Sequence, residues 1–360
     1  MKANNRSSAV ACGPKRIDSC ASIVVREFPS EDVERTWCDS LSLFDYPTHY
    51  GSPEFFAEPA LKGRKPFAIL VLAGHSVVGV LPAVTEGRNI GSRRYLSLAR
   101  NADLTAVCDV LVRRLLEESR SANLVTVDSF VKLDSFIQNG FRCQPFGQVI
   151  VLDLHVGPDA LFKRFHKNRR SNIRSAIRHG VQVLTPTSET QISEFYDVYS
   201  AWRCTKRKHI HGDRLPLEVF KERFRLNQNF RFLLASVSGR IIAGLTLRFS
   251  RGGLVECATN CSLDEFLHLR PNDLLVWDAI KWACNQGFPH MSLGGAHRFL
   301  REFGGVSIPV YRYRKDQTRF RRFDIAAGVA DAARRTFRTL PLRLQHATRK
   351  LLGKPPIHSY

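Results

Sequence analysis

The strongest constraint on the fold of this chain is a strand–turn–strand unit that it writes twice. The first copy is Phe67-Ala-Ile-Leu-Val-Leu-Ala followed by Gly74-His-Ser-Val-Val-Gly79-Val-Leu-Pro; the second is Phe232-Leu-Leu-Ala-Ser-Val-Ser followed by Gly239-Arg-Ile-Ile-Ala-Gly244-Leu-Thr-Leu. Apolar runs bounded by a glycine-bearing turn read as buried strands, and the G-x-x-x-x-G spacing is the same in both. Gly74 and Gly239 supply the positive φ that a tight hairpin requires. Gly79 and Gly244 mark a bulge or a close backbone approach. Two unrelated hairpins would share the strands, whereas the shared glycine spacing argues for duplication. The two hairpins are therefore expected to be equivalent elements of two similar, separate sheets.

Comparable elements flank each hairpin. Helical patterns cover residues 32–43 and 102–119 in the first half, and 188–206, 217–227 and 272–286 in the second. Strands are expected at 124–127, 181–184, 231–237, 240–249, 253–259, 291–293 and 308–313, with an apolar strand near 148–154 joining the halves. Strands mixed with helices in this way predict an α/β (α+β) fold in which each half is a mixed, mostly antiparallel sheet flanked by helices. At 360 residues, two domains are the natural division. The expected boundaries are a leader over 1–20, an N-terminal domain over 21–150, a C-terminal domain over 151–318 and a basic tail over 319–360.

A hydrophobic content of 44% with 24 Phe supplies ample core and excludes global disorder. No apolar run is long enough to span a bilayer, and residues 1–18 lack the apolar stretch of a secretory signal, which points to a cytoplasmic protein. The nine cysteines are irregularly spaced and form no CxxC pair, so buried free thiols in a reducing compartment are expected, and no metal site. The net charge of +21 favours polyanionic partners: nucleic acid, phosphorylated substrates, coenzyme A or an anionic membrane face.

Part of that charge is concentrated at the start of the second half. Between Asp159 and Gly180, Lys163, Arg164, Lys167, Arg169, Arg170, Arg174 and Arg178 face a single acid, while Phe162, Phe165, Ile173, Ala176 and Ile177 fit one apolar helical face. An amphipathic helix with a solvated basic face accounts for the pattern. An anionic ligand accounts better for so many uncompensated like charges, and Lys167, Arg170 and Arg174 are the expected phosphate contacts.

Three blocks in this half resemble a known family. Asn168-Arg-Arg-Ser-Asn-Ile-Arg-Ser-Ala-Ile-Arg-His-Gly-Val is similar to the R-x-x-I-R-x-A-x-x-x-G-V opening of the FemAB-like second domain. Arg270-Pro-Asn-Asp-Leu-Leu-Val-Trp-Asp-Ala-Ile-Lys-Trp-Ala, followed by Leu293-Gly-Gly, resembles its P-N-x-L-L-x-W-x-x-I-x-x-A block. Phe299-Leu-Arg-Glu-Phe-Gly-Gly with Tyr311-Arg-Tyr resembles its F-K-x-x-F-G-G … Y close, with Leu300 in place of the lysine and Arg298 or Arg301 able to substitute. The resemblance implies tandem GNAT-like domains and an N-acyltransferase, with acyl-CoA (acetyl-CoA foremost) as co-substrate and an amine on a cell-envelope or polysaccharide precursor as acceptor. Aminoacyl-tRNA is the alternative donor it implies. A nucleic-acid-binding protein on a degenerate GNAT scaffold is the alternative from a different class.

On that reading, the backbone at Asn272, Asp273 and Leu274, opening a helix, would hold the phosphates of the donor, with Asp273 opposing them and Arg301 assisting. Acyl transfer to an amine needs a group to take the amine's proton. Glu256, a charge within the apolar stretch Leu254-Val-Glu-Cys-Ala, is the expected base, pointing into the cleft near the start of the Asn272 helix. Tyr311 is a candidate proton donor, and His297, in a loop after a strand, a further catalytic candidate. Each also has a plain reading: a charged strand residue, a packed aromatic, a solvated loop histidine. Finally, residues 319–354 intersperse ten cations with Phe and Leu against two acids, which suits peripheral contact with an anionic inner membrane face as well as a helix packed on the domain.

Overall fold

In the computed structural model, which describes residues 20–205 and 214–339, twelve strands join in one continuous sheet. The first half runs β1 (Cys20–Val25), α1 (Glu31–Ser40), four short 3-10 turns between Leu41 and Leu61, β2 (Lys65–Ala73), β3 (Ser76–Glu86), β4 (Asn89–Leu98), α2 (Leu104–Glu118), β5 (Leu124–Ser129), α3 (Asp134–Gln138) and β6 (Arg142–Asp153). The second runs α4 (Pro158–Arg164), α5 (Lys167–Arg178), β7 (Gln182–Leu184), α6 (Glu189–Thr205), α7 (Leu217–Arg225), β8 (Phe230–Val237), β9 (Arg240–Arg248) and β10 (Val255–Ser262). It ends with α8 (Pro271–Asn285), β11 (His290–Gly295), α9 (Arg298–Arg301), β12 (Val306–Asp316) and α10 (Arg322–Thr339). The expected leader up to residue 19, and the tail beyond Thr339, lie outside the described residues; β1 begins where that leader was expected to end.

The sheet order β1-β2-β3-β4-β5-β12-β6-β11-β10-β9-β8-β7 overturns the expectation of two separate sheets. The cause is an exchange of terminal strands. β6, the last strand of the first half, pairs with β11 of the second, and β12, the last strand of the second half, pairs with β5 of the first. β6 and β12 also pair with each other, so two edges that would otherwise be bare are closed. A boundary at 150/151 therefore falls inside a strand that serves both halves. Within this one sheet the halves still run alike. β1–β2, β2–β3 and β3–β4 are antiparallel and β4–β5 parallel; β7–β8, β8–β9 and β9–β10 are antiparallel and β10–β11 parallel. The two glycine hairpins, β2–β3 and β8–β9, hold matching places in these series.

The glycines act as their spacing suggests. Gly74 (φ 58°) and Gly239 (φ 79°) turn the hairpins. A Cβ on Gly79 would lie 2.8 Å from Val107 of α2, and one on Gly244 only 2.3 Å from the Phe195 ring of α6, so each glycine lets a helix seat on the sheet. Trp37 of α1 and Leu111 and Leu115 of α2 bury the first half's face. Leu275, Ala279 and Ile280 of α8, with Ile173 and Ala176 of α5, bury the second's.

The basic segment departs from the single helix expected. It breaks at Phe165-His166, where the His166 N–H donates to the Glu302 carbonyl (2.8 Å) and its Nδ1 accepts from the Asn168 N–H (3.3 Å), capping α5. Phe165, Ile173 and Ala176 are buried as the periodicity predicts, but Ile177 is exposed.

Candidate active site

A parallel strand pair that parts at its end leaves room between its strands. β4 and β5 pair from Asn89↔Leu124 to Leu96↔Ser129, with a shift of register between Gly91 and Tyr95. β10 and β11 pair only at Val255↔Met291 and Glu256↔Ser292. Beyond that point a cavity of about 950 Å3 opens between the halves. The first half lines it with Tyr50, Arg93, Arg94, Tyr95 and Asp128; the second contributes Arg248, Glu256, Gly294, Gly295, His297, Arg301 and Arg312.

Glu256 and Arg248 face each other across the β9–β10 pairing. Arg248 Nε donates to Glu256 Oε2 (3.1 Å), its Nη1 donates to the Tyr50 hydroxyl (2.8 Å), and its guanidinium sits 4.4 Å from the Tyr50 ring centroid. Arg94 Nε approaches Glu256 Oε1 from the other half at 3.3 Å. Arg94 reaches it through a left-handed backbone (φ 60°), in the stretch where the β4–β5 register shifts. Burial raises the Glu256 pKa, but Arg248 and then Arg94 more than offset it, and the carboxyl is held below its usual value. A carboxylate with its charge already paired is a weak proton acceptor. Glu256 thus faces the cleft as expected, but it organises two arginines rather than waiting for a proton. It is also not near the start of the Asn272 helix. That helix, α8, begins beside Ser262, whose hydroxyl accepts from Asn272 Nδ2 (3.0 Å), six residues or about 20 Å further along β10.

Across the cavity, Arg312 holds Asp128 with two hydrogen bonds of 2.7 Å and lies over the Phe146 ring. Arg301 is braced by the Ala296 carbonyl (2.7 Å) and Gln148 Oε1 (3.0 Å). Five arginines, Arg93, Arg94, Arg248, Arg301 and Arg312, thus line the cavity against two carboxylates, Asp128 and Glu256. The surplus of positive charge in a partly enclosed space suits a carboxylate or phosphate. A second basic groove, with Arg164, His166 and Arg298, shares Ala296 and Arg301 with the cavity and continues it outward.

His297 is on the cavity wall, its ring stacked on Phe299 with centroids 6.2 Å apart. Partial burial lowers its pKa, so the imidazole is neutral near pH 7 and able to accept a proton. Cys257, which also lines the cavity, is no nucleophile: burial, then the Glu256 charge, push its thiol up to about 12. Gly295 lines the cavity, and a Cβ there would meet nothing within 4 Å.

The other expected site residues lie elsewhere. On β12, Val310 and Arg312 face the cavity, so Tyr311, between them, faces the opposite side and packs against the first-half core. Lys167, Arg170 and Arg174 are absent from the cavity lining. Lys167 is exposed, Arg170 donates to the Lys163 carbonyl (2.7 Å) and Arg174 lies over the Phe162 ring. Of the expected phosphate contacts, Arg301 alone reaches the cavity. Asn272, Asp273 and Leu274 do open α8, but Leu274 is core, and the buried Asp273 carboxylate accepts from Arg169 (2.6 Å) and Asn172 (3.3 Å) of α5. Pro271 has no N–H, and the Asp273 N–H donates to the Arg270 carbonyl. With no N–H on Pro271, the Asp273 N–H engaged and a buried carboxylate in place, the first turn of α8 is a poor fit for the pyrophosphate of an acyl-CoA.

Residues 163–303 match the model of an acetyltransferase (GNAT) domain, the half in which β10 and β11 part. FemX superposes with a TM-score of 0.62 at 13% identity, covering 79% of this chain and 96% of that one. The C-terminal domain of a putative lysylphosphatidylglycerol synthetase from Agrobacterium fabrum gives 0.56 at 16% identity, covering 84% and 96%. A tandem GNAT protein from the clavulanic acid biosynthesis pathway gives 0.54 at 12%, covering 83% and 98%. No curated protein matches the sequence. The domain match makes residues 163–303 an acetyltransferase (GNAT) domain, which supports an acyltransferase. Over most of its length the chain shares its fold with FemX and with a tandem GNAT protein.

Proposed function

We propose that this acyltransferase joins an acyl group to an amine whose substrate also carries a carboxylate or phosphate, and that the reaction takes place in the central cavity. The observation that carries this reading is the set of five arginines and two carboxylates around a cavity with a neutral imidazole on its wall. The amine nitrogen attacks the acyl carbonyl, the bond from that carbonyl to the donor's leaving group breaks, and His297 takes the amine proton and returns it to the leaving group. The positive lining orients the acceptor's anionic group and stabilises the developing oxyanion. Amines of cell-envelope and polysaccharide precursors that bear such groups fit this description. For the donor, the buried Asp273 at α8 favours an aminoacyl ester of tRNA over acyl-CoA.

Calorimetric titration with phosphoethanolamine and with ethanolamine tests the acceptor reading. The phosphorylated amine is expected to bind at least ~10-fold tighter, and Arg301→Ala to remove most of that margin, as loss of a charge-assisted contact implies. Equal binding of the two amines would refute it. Thermal protection by aminoacyl-tRNA and not by acetyl-CoA supports the donor assignment; protection by acetyl-CoA alone reverses it.

A further inference from the structure

The last described helix is tied to the body at its first turn. Asp316 Oδ2 accepts from the N–H groups of Phe323 (2.7 Å) and Asp324 (3.0 Å), the Thr318 hydroxyl accepts from Arg322 N–H (3.0 Å), and Arg142 pairs with Asp324 (3.5 Å). Past this clamp, α10 presents apolar side chains to solvent. Ile325 and Val329, one helical turn apart, are 60% and 65% exposed, and Phe320 just before the helix is 73% exposed. Arg319, Arg321 and Arg322 are exposed beside them, while Asp316 and Asp324 are both spent in the clamp. The exposed residues from Gln317 to Ala330 include no carboxylate. The sequence after Thr339 keeps the same character, with Arg343, Arg349, Lys350 and Lys354 among leucines and no Asp or Glu.

We propose that Phe320 and α10 form a docking surface for an anionic lipid bilayer. Exposed apolar groups flanked by arginines and, from Gln317 to Ala330, free of exposed acids match a lipid interface, where the apolar residues enter the boundary below the headgroups and the arginines meet phosphates. A second copy of this chain is the poorer occupant, because two such faces in contact would set Arg319, Arg321 and Arg322 against their counterparts with no exposed acid from Gln317 to Ala330 to offset them. β12 links this surface to the site: it carries Arg312 into the cavity and, four residues on, Asp316 to the clamp.

A protein of net charge +21 binds anionic vesicles to some degree through charge alone, so the test must isolate the apolar face. Co-sedimentation is measured with phosphatidylglycerol and with phosphatidylcholine vesicles. The proteins compared are the wild type, Ile325→Glu/Val329→Glu, and Leu104→Glu/Ile137→Glu, which makes the same charge change at exposed sites on α2 and α3. Binding of the wild type to phosphatidylglycerol alone is expected, with a loss of at least ~10-fold in the α10 variant and little loss in the control. Equal losses in both variants, or none in the α10 variant, would overturn the proposal. So would a wild-type dimer in sedimentation velocity that only the α10 variant dissolves, since that assigns the face to a second copy.

Discussion

Replacing Arg248 by Met is expected to lower the unfolding free energy by about 3–5 kcal/mol, the cost of leaving a buried carboxylate without its main partner. Arg248 and Glu256 are each about 4% exposed, and Arg248 also holds the Tyr50 hydroxyl, so its loss opens the contact between the halves. Arg94 remains 3.3 Å from Glu256, but it is partly solvated and reaches only one carboxylate oxygen. Urea midpoints measure the effect. Adding Glu256→Gln to Arg248→Met should recover part of the loss, because an unpaired charge is then no longer buried. The pH dependence follows from the same pair. The folded carboxyl of Glu256 titrates below its ordinary value, and so does that of Glu58, where Arg223 and Arg248 outweigh burial. Their stabilisation is fully present above the unfolded carboxylate value of about 4.3 and is lost as pH falls through the lower folded values. Glu256→Gln should therefore flatten the acid limb of the stability profile. A Met variant as stable as the wild type at pH 7 would show that Arg94 and water suffice for Glu256.

Replacing His297 by Gln is expected to cut kcat by roughly 10²–10⁴ with little change in KM, since the amide keeps the shape and loses proton acceptance. The folded imidazole titrates below 6.5 because partial burial disfavours its charged form. Wild-type activity should accordingly rise as pH increases through a value below 6.5 and then level, and the Gln variant should lack that limb. A Glu256→Gln variant should retain the limb. If instead the limb vanishes with Glu256→Gln and survives His297→Gln, the proton acceptor is the carboxylate after all, despite its two guanidinium partners.

Much of the fold was legible because it is written in local pattern. Paired apolar runs with fixed glycines identify both hairpins, and Gly79 and Gly244 mark where helices press on the sheet. The strand exchange was not legible, because the pairing of β12 with β5 spans some 180 residues and depends on edges that exist only in the assembled sheet. Glu256 stood out as a charge in an apolar strand. Arg248 carries the same signal in Gly244-Leu-Thr-Leu-Arg, and pairing β9 with β10 in antiparallel register would have set the two opposite each other. Arg94 had no such signal: in Ser92-Arg-Arg-Tyr it reads as a solvated cation, and only a left-handed turn of the backbone brings it to Glu256. Tyr311 was misplaced for want of strand phase, since the cavity takes the alternate residues Val310 and Arg312. The basic helix was misread because density of charge does not say which cation is buried. Arg169 alone turns inward, to Asp273, a partner 104 residues away.

Acyl transfer in the cavity between the halves needs open space for both reactants, and a side chain at Gly295 is the simplest way to fill part of it. That residue lines the cavity, has no need of positive φ, and leaves open space where a side chain would stand. Single-turnover transfer from the donor that thermally protects the protein should be measured for the wild type and for Gly295→Leu at matched melting temperature. A loss of at least ~10²-fold, with the fold intact, is the result this account predicts, since displacing the reactants by about an ångström already costs that much. Undiminished transfer by the Leu variant would place the chemistry elsewhere in the molecule.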